Sequence, residues 1–235
     1  MTKYWHPKKI EETRDSPGRA YSNRFLYENL SELLSKKEIK MLDIGCGSGY
    51  IREILYNLGY KLFYTGVDIK EHKDFKQFDK YALKSDFFKT KIENFNTVDK
   101  YDFVFSISAL EHVEKDVLAV AKAKEFLKED GVQVHIVPTS FSFFFYLFHG
   151  YRRYSKIRLK KLFGKELKLY TLGGLFSFFL HLFFITIPEA ILNNSKPRES
   201  NIYSKLLNIA NKFDCMLPVF SSLYVVVTKN ENKTL

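Results

Sequence analysis

Asp43, Gly45, Gly47 and Gly49 occupy every second position of the stretch Met41-Leu42-Asp43-Ile44-Gly45-Cys46-Gly47-Ser48-Gly49. Glycines spaced in this way strip side chains from a sharp turn, allow positive φ and let a ligand lie against bare backbone. The apolar-rich residues before them read as a buried strand, and Tyr50 to Leu58 after them as a helix. Strand, glycine loop and helix together aim backbone N–H groups and a helix N-terminus at one sheet edge, where α/β proteins hold nucleotides. Both phosphate-cradling fingerprints fit poorly. A G-x-G-x-x-G series places its third glycine at Tyr50, and no Lys comes after the glycines for a P-loop. A second carboxylate, Asp68, closes the run Leu62 to Val67. At the end of a second strand it can accept from both hydroxyls of a ribose, a charge-assisted arrangement.

The D-x-G-x-G-x-G series from Asp43 to Gly49 resembles the first motif of class I S-adenosylmethionine-dependent methyltransferases of the small-molecule group. Further motifs in order extend the resemblance over residues 38–140, and Tyr101 to Val113 (YDFVFSISALEHV) is the most discriminating of them. The resemblance implies S-adenosyl-L-methionine as cofactor. It places Asp43, Gly45, Gly47 and Gly49 in the donor loop, Asp68 and Ile69 at the nucleoside, and Asp86 at the adenine amino group with Phe87 beside the ring. Ser106 to Ala109 would line the sulfonium side, with Glu111 and His112 starting the next helix. Members that bind a metal carry two Glu three apart followed by His. Ser108 stands in the first of those places, so no metal is expected. The Asn/Asp-Pro-Pro-aromatic tetrad of amino-methylating nucleic-acid enzymes is absent. No Cys stands where a pyrimidine-C5 enzyme needs its nucleophile.

These residues need a frame to hold them. Helical spacing marks Ser22 to Ser35, Tyr50 to Leu58 and Val117 to Leu127, the last with an exit turn at 128–131. Strands are expected at Met41 to Ile44, Leu62 to Val67, Tyr81 to Lys84, Tyr101 to Ser106, Val132 to Val137, Leu167 to Tyr170 and Ser222 to Thr228. Strands alternating with helices predict an α/β fold. Its expected form is a Rossmann-like, doubly wound, mostly parallel seven-stranded sheet with a helical cap inserted before the last strand. One domain spans 1–235. It divides into an N-terminal lid and helix (1–37), a cofactor-binding core (38–140), a substrate lid with apolar cap (139–221) and the last strand (222–228).

Composition narrows the class further. A chain of 235 residues that is 46% hydrophobic can bury a full core. Its two cysteines form neither a disulfide framework nor a metal spacing, and the N-terminus lacks an apolar signal core, so a reducing cytoplasm is expected. The net charge of +10 invites anionic partners, but most of it is the Lys surplus of a Lys-, Phe-, Asn- and Ile-rich composition.

The acceptor should be chosen by the residues beyond Pro138. Six aromatics between Phe141 and Phe148 precede His149 and a basic run from Arg152 to Lys161. Arg152 and Arg153, with Tyr154, are the candidate substrate contacts, because guanidinium grips carboxylate or phosphate bidentately. His112 and His149 are the candidate bases should the acceptor be a hydroxyl. Residues 172–192 are apolar around the whole helix but carry His181, Pro188 and Glu189. They are either a buried cap or a contact with a membrane surface at the inner leaflet. The expected activity is methyl transfer to a heteroatom, foremost oxygen, of a small molecule such as a glycan, a lipid-linked sugar or a quinone-like precursor, with nucleic acid disfavoured. The alternatives are an RNA-modifying enzyme using residues 152–161 and a non-catalytic S-adenosylmethionine-binding module.

Overall fold

Among the described residues eight strands form one sheet: β1 (Thr2–Tyr4), β2 (Glu38–Ile44), β3 (Lys61–Asp68), β4 (Lys84–Lys89), β5 (Tyr101–Ile107), β6 (Leu127–Pro138), β7 (Lys168–Leu172) and β8 (Leu223–Lys229). The computed structural model describes residues 2–145 and 151–230, and their strand order is β1-β7-β8-β6-β5-β2-β3-β4. Only β8 runs antiparallel to its neighbours, β6 and β7. The chain leaves β2 toward β3 on one side and β5 lies on the other. A parallel sheet that reverses its order in this way opens a crevice at the carboxyl ends of the central strands.

Alternation along the central strands explains why both faces are covered. Met41 and Phe103 pack into one apolar cluster, Leu42 and Val104 into the other. Helices α1 (Pro17–Leu33) and α2 (Ile51–Asn57) bury Phe25, Leu26, Leu30, Ile54 and Leu55 on the first face. Helices α3 (Asp116–Glu125) and α4 (Lys156–Phe163) bury Ala119, Ala123 and Leu159 on the second. Helix α1 starts where Ser16 caps it, accepting from Arg19 N–H, with Pro17 in the first turn. The insertion before β8 is a helical cap: α5 (Leu175–His181), a π-helical continuation (Leu182–Ile191), α6 (Lys196–Glu199) and α7 (Asn201–Asp214). Asp214 fastens this cap to α1. Its Oδ1 accepts from the N–H groups of Phe176 (2.8 Å) and Ser177 (3.1 Å), and its Oδ2 accepts from the Tyr21 hydroxyl at 2.8 Å.

Three local expectations change. The sheet has an eighth strand because Thr2–Tyr4, too short and polar to show a period, adds in parallel to the open edge of β7. Residues up to Tyr81 form a 3₁₀ segment (Phe75–Tyr81), so the third expected strand begins at Lys84 and runs on to Lys89. Residues 128–131 continue β6 rather than leave a helix, with Asp130 at φ 60° and a register shift opposite Tyr101 and Phe103 absorbing the turn residues.

Candidate active site

The glycine loop leaves β2 with positive φ at Gly45 (67°), Gly47 (51°) and Gly49 (68°). Gly45 and Gly49 are bare because protein presses on them. A Cβ at Gly45 would collide with the Ala109 Cβ, and one at Gly49 would lie 2.7 Å from Arg52 Nη2 and 2.8 Å from the Tyr64 hydroxyl. At Gly47 a Cβ would meet nothing within 4 Å. The middle glycine therefore opens onto space, as a backbone that receives a ligand must. Asp68, the last residue of β3, reaches across to this loop, and its Oδ2 accepts from Gly47 N–H at 3.0 Å. Beside it Ile69 is 66% exposed, an apolar shelf at the same edge.

Two buried residues keep the loop in place. Asp43 is enclosed and accepts from the Tyr64 hydroxyl at 2.7 Å, and burial raises its carboxyl to about 7 against the pull of Tyr64 and Arg52. Arg52, fully buried in α2, donates to the carbonyls of Ser48 (3.0 Å), Gly49 (3.0 Å) and Phe75 (2.6 Å) and to Asp79 at 2.6 Å. Sequence reasoning passes over Arg52. Its signal is a lone arginine in a short helix that otherwise buries isoleucine and leucine.

Three cofactor assignments, Asp86, Phe87 and Ser106, are corrected. Asp86 stands level with Thr65, three rungs before the carboxyl edge marked by Asp68 opposite Lys89, and it pairs with Lys84 Nζ at 2.8 Å. That offset is roughly 10 Å along the strand, so its carboxylate does not meet the crevice. Phe87 turns inward onto Phe75, with ring centroids 5.0 Å apart. Lys89 and Thr90 hold the strand end instead, and Thr90 N–H donates to the Asp68 carbonyl at 2.9 Å. Ser106 is fully buried, its Oγ 2.7 Å from His135 Nδ1, while His135 Nε2 lies 2.9 Å from Gln133 Oε1. This polar ladder belongs to the sheet interior. The residues after it, Ile107 and Ser108, reach the crevice, and Ser108 is held at φ 47°.

Next to that edge lies a cavity of about 210 Å³, walled by the start of α1, by Ile107 to Glu111, by the segment after β6 and by the cap. Its chemistry-bearing residues are Arg19, Glu111, Arg153 and His181. Glu111 is 4% exposed, and burial lifts its carboxyl to about 7, with Arg153 pulling the other way. Its Oε2 is buried without a hydrogen-bond partner among the described residues. His181 packs on Phe145 with ring centroids 4.2 Å apart, and its Nδ1 lies 3.0 Å from Thr186 Oγ1. Burial first, and Arg198 second, lower its pKa to about 4, so the ring is neutral near pH 7. The Arg19 guanidinium carbon lies 5.3 Å from the centroid of the Tyr50 ring, between the glycine loop and the cavity.

The expected acceptor residues divide. His112 ends the 3₁₀ turn Leu110–His112 and is exposed outside the cavity, whereas its neighbour Glu111 faces in. Successive residues of such a turn point about 120° apart, so only one of the pair can face the cavity. His149 lies outside the described residues. Of the basic pair only Arg153 lines the cavity. Arg152 donates to the carbonyls of Val113 and Glu114 and stands 3.7 Å from Asp116, clamping the loop after Glu111. Tyr154 is core: fully buried, it donates to Asp116 at 3.3 Å.

The family model described as a methyltransferase domain matches residues 19–174. The chain belongs to that methyltransferase family. S-adenosyl-L-methionine is accordingly its cofactor, and Gly47, Asp68 and Ile69 form an edge that fits it. The ubiquinone biosynthesis O-methyltransferase of Actinobacillus pleuropneumoniae serotype 7 is 32% identical over 102 residues, 40% of this chain and 43% of that protein. The (S)-coclaurine N-methyltransferase of Papaver somniferum is 30% identical over 96 residues, 39% of this chain and 27% of that protein. The chain thus spans less than half the length of the curated relatives it matches. Among solved structures, coclaurine N-methyltransferase bound to N-methylheliamine and S-adenosylhomocysteine has a TM-score of 0.57 at 15% identity. That match covers 94% of this chain and 76% of that one. The N-methyltransferase NodS of Bradyrhizobium japonicum WM9 also has a TM-score of 0.57, at 16% identity over 94% of this chain and all of that one. These likenesses show the fold.

Proposed function

We propose that the protein methylates an oxygen of a small molecule held in the cavity beside the glycine loop, with Glu111 as the general base. The observation that carries the oxygen assignment is the Glu111 carboxyl, buried, with one oxygen unpartnered and poised near 7. A base matched to the working pH is the one that transfers protons best. S-adenosyl-L-methionine, when bound, supplies a sulfonium methyl group that the acceptor oxygen takes as the carbon–sulfur bond breaks. Glu111 receives the hydroxyl proton, and Arg153 beside it offsets the charge of the ionised carboxylate. Phe145, Pro138 and Leu223 give the cavity apolar walls, and α1 and the cap enclose the acceptor beside the loop in this reading. Glycans, lipid-linked sugars and quinone-like precursors remain the acceptor classes of this reading.

The RNA-modifying alternative loses support, because Arg152 and Arg158 of the basic run are engaged with Asp116, Arg158 at 2.7 and 2.8 Å to its two oxygens. Glu111, buried at the cavity with one oxygen unpartnered among the described residues, favours catalysis over a non-catalytic module.

The test is methyl transfer from labelled donor to a panel of phenols, catechols, sugars and amines. The wild type should methylate hydroxyls, with a rate that rises with pH to a plateau above about 7. Glu111→Gln should lower kcat by roughly 10²-fold or more and flatten that rise. Exclusive transfer to amines, or an unchanged rate in Glu111→Gln, would refute the assignment.

A further inference from the structure

The apolar cap presents two faces of different fate. Phe178, Leu180 and Ile185 are buried against the domain, while Phe176, Phe179 and Phe183 lie exposed along the outer side of the same helix, Phe183 by 57%. The exposed rings pair with aromatic neighbours. Phe179 stacks on Phe183 at 6.0 Å and Phe176 meets Phe213 of α7 at 5.4 Å, while Phe178 joins Phe220 at 5.4 Å. A large exposed apolar surface of this kind marks an interaction site.

Helix α7 says what kind. It buries Tyr203, Leu207, Ala210 and Asp214, and turns Ile202, Ile209 and Phe213 to solvent with Lys205 and Lys212 on the same side. At 100° per residue those lysines flank one edge of the exposed apolar stripe. The helix is thus amphipathic toward the core and carries a second apolar stripe, edged by cations, on its outside. Asp214 is buried and Glu189 pairs with Arg198 at 3.1 Å, so the outward charge of the cap is Lys196, Lys205 and Lys212 against Glu199. Aromatic side chains that sink into an acyl boundary, beside lysines that keep their heads at the phosphates, are the chemistry of an anionic bilayer surface. Among the described residues no helix is long and apolar enough to cross a membrane.

We infer that the outer face of the cap, Phe176, Phe179 and Phe183 with the Ile202 to Phe213 stripe of α7, docks on an anionic lipid surface. The surface acts without methyl transfer, so its test does not depend on the acceptor.

The experiment is co-sedimentation of the full chain with vesicles of equal phosphatidylglycerol and phosphatidylcholine, and with phosphatidylcholine alone. The wild type should pellet with the anionic vesicles, and 0.5 M salt should release much of it. Phe179→Ser with Phe183→Ser should reduce binding about tenfold with little change in Tm, because both rings are largely outside the core. Lys205→Glu with Lys212→Glu, which leaves every ring in place, should do the same on anionic vesicles. A wild type that stays in the supernatant overturns the inference, as does binding that neither double variant weakens. Failure to bind vesicles together with a concentration-dependent dimer lost in the Phe179→Ser, Phe183→Ser variant would instead assign the face to a second copy of the chain.

Discussion

The glycine-loop edge and the acceptor cavity lie side by side, yet they are built on opposite principles. The edge is made of backbone. Gly47 offers bare main chain, Asp68 ties that main chain to the end of β3, and Arg52 pins its carbonyls from below. The cavity is made of side chains from segments far apart in sequence: Arg19 at the start of α1, Glu111 after β5, Arg153 after β6 and His181 in the cap. The family match, residues 19–174, covers the whole edge and reaches Arg19, Glu111 and Arg153 of the cavity, but it stops before α5 and leaves His181 and the rest of the cap outside. A donor common to a family can be held by a fixed backbone shape, whereas an acceptor is selected by whichever side chains the variable segments bring together.

The difference can be broken most sharply at the glycines. Gly47→Val should abolish measurable S-adenosylhomocysteine binding, a loss of more than about a hundredfold, because a branched side chain at φ 51° fills the open side and strains the turn. Gly49→Val should instead damage the fold itself, since its Cβ collides with Arg52 and Tyr64. Calorimetry of the ligand alongside thermal melts separates the two. A Gly47→Val variant that folds and binds normally would mean that the donor lies elsewhere.

A smaller contrast sits in the adjacent arginines. Arg152→Met should cost about 2 kcal/mol through its lost carbonyl contacts and lower Tm by roughly 4 to 8 °C, with acceptor KM little changed if the loop holds. Arg153→Met should raise the KM of an anionic acceptor by about tenfold, because its guanidinium faces the cavity. Reversed effects would exchange their roles.

The same contrast explains why one half was legible and the other was not. The glycine loop is readable because backbone geometry dictates residue type at fixed spacing, and the place of Asp68 at the end of β3 follows from the strand it closes. Asp86 and Ser106 fail because a strand says little about where it ends or which face a residue takes. Moving β4 on to Lys89 leaves Asp86 short of the edge, and Ser106 meets His135 instead of the crevice. Glu111 against His112, and Arg153 against Arg152 and Tyr154, are choices between neighbours that only tertiary packing makes. His181 signalled itself as a polar interruption in an apolar run. Its place against Phe145 depends on how the cap folds back over α1.

The separation of the two halves is tested most directly by titrating S-adenosylhomocysteine into wild type, Asp68→Ala and Glu111→Gln by calorimetry. Asp68→Ala removes the tie to Gly47 N–H together with the carboxylate proposed to accept from the ribose, and should weaken binding by about 2 to 3 kcal/mol, roughly 30- to 150-fold. Glu111→Gln, which changes only the acceptor cavity, should bind within about twofold of wild type. Normal binding by Asp68→Ala, or an equal loss in Glu111→Gln, would contradict the account.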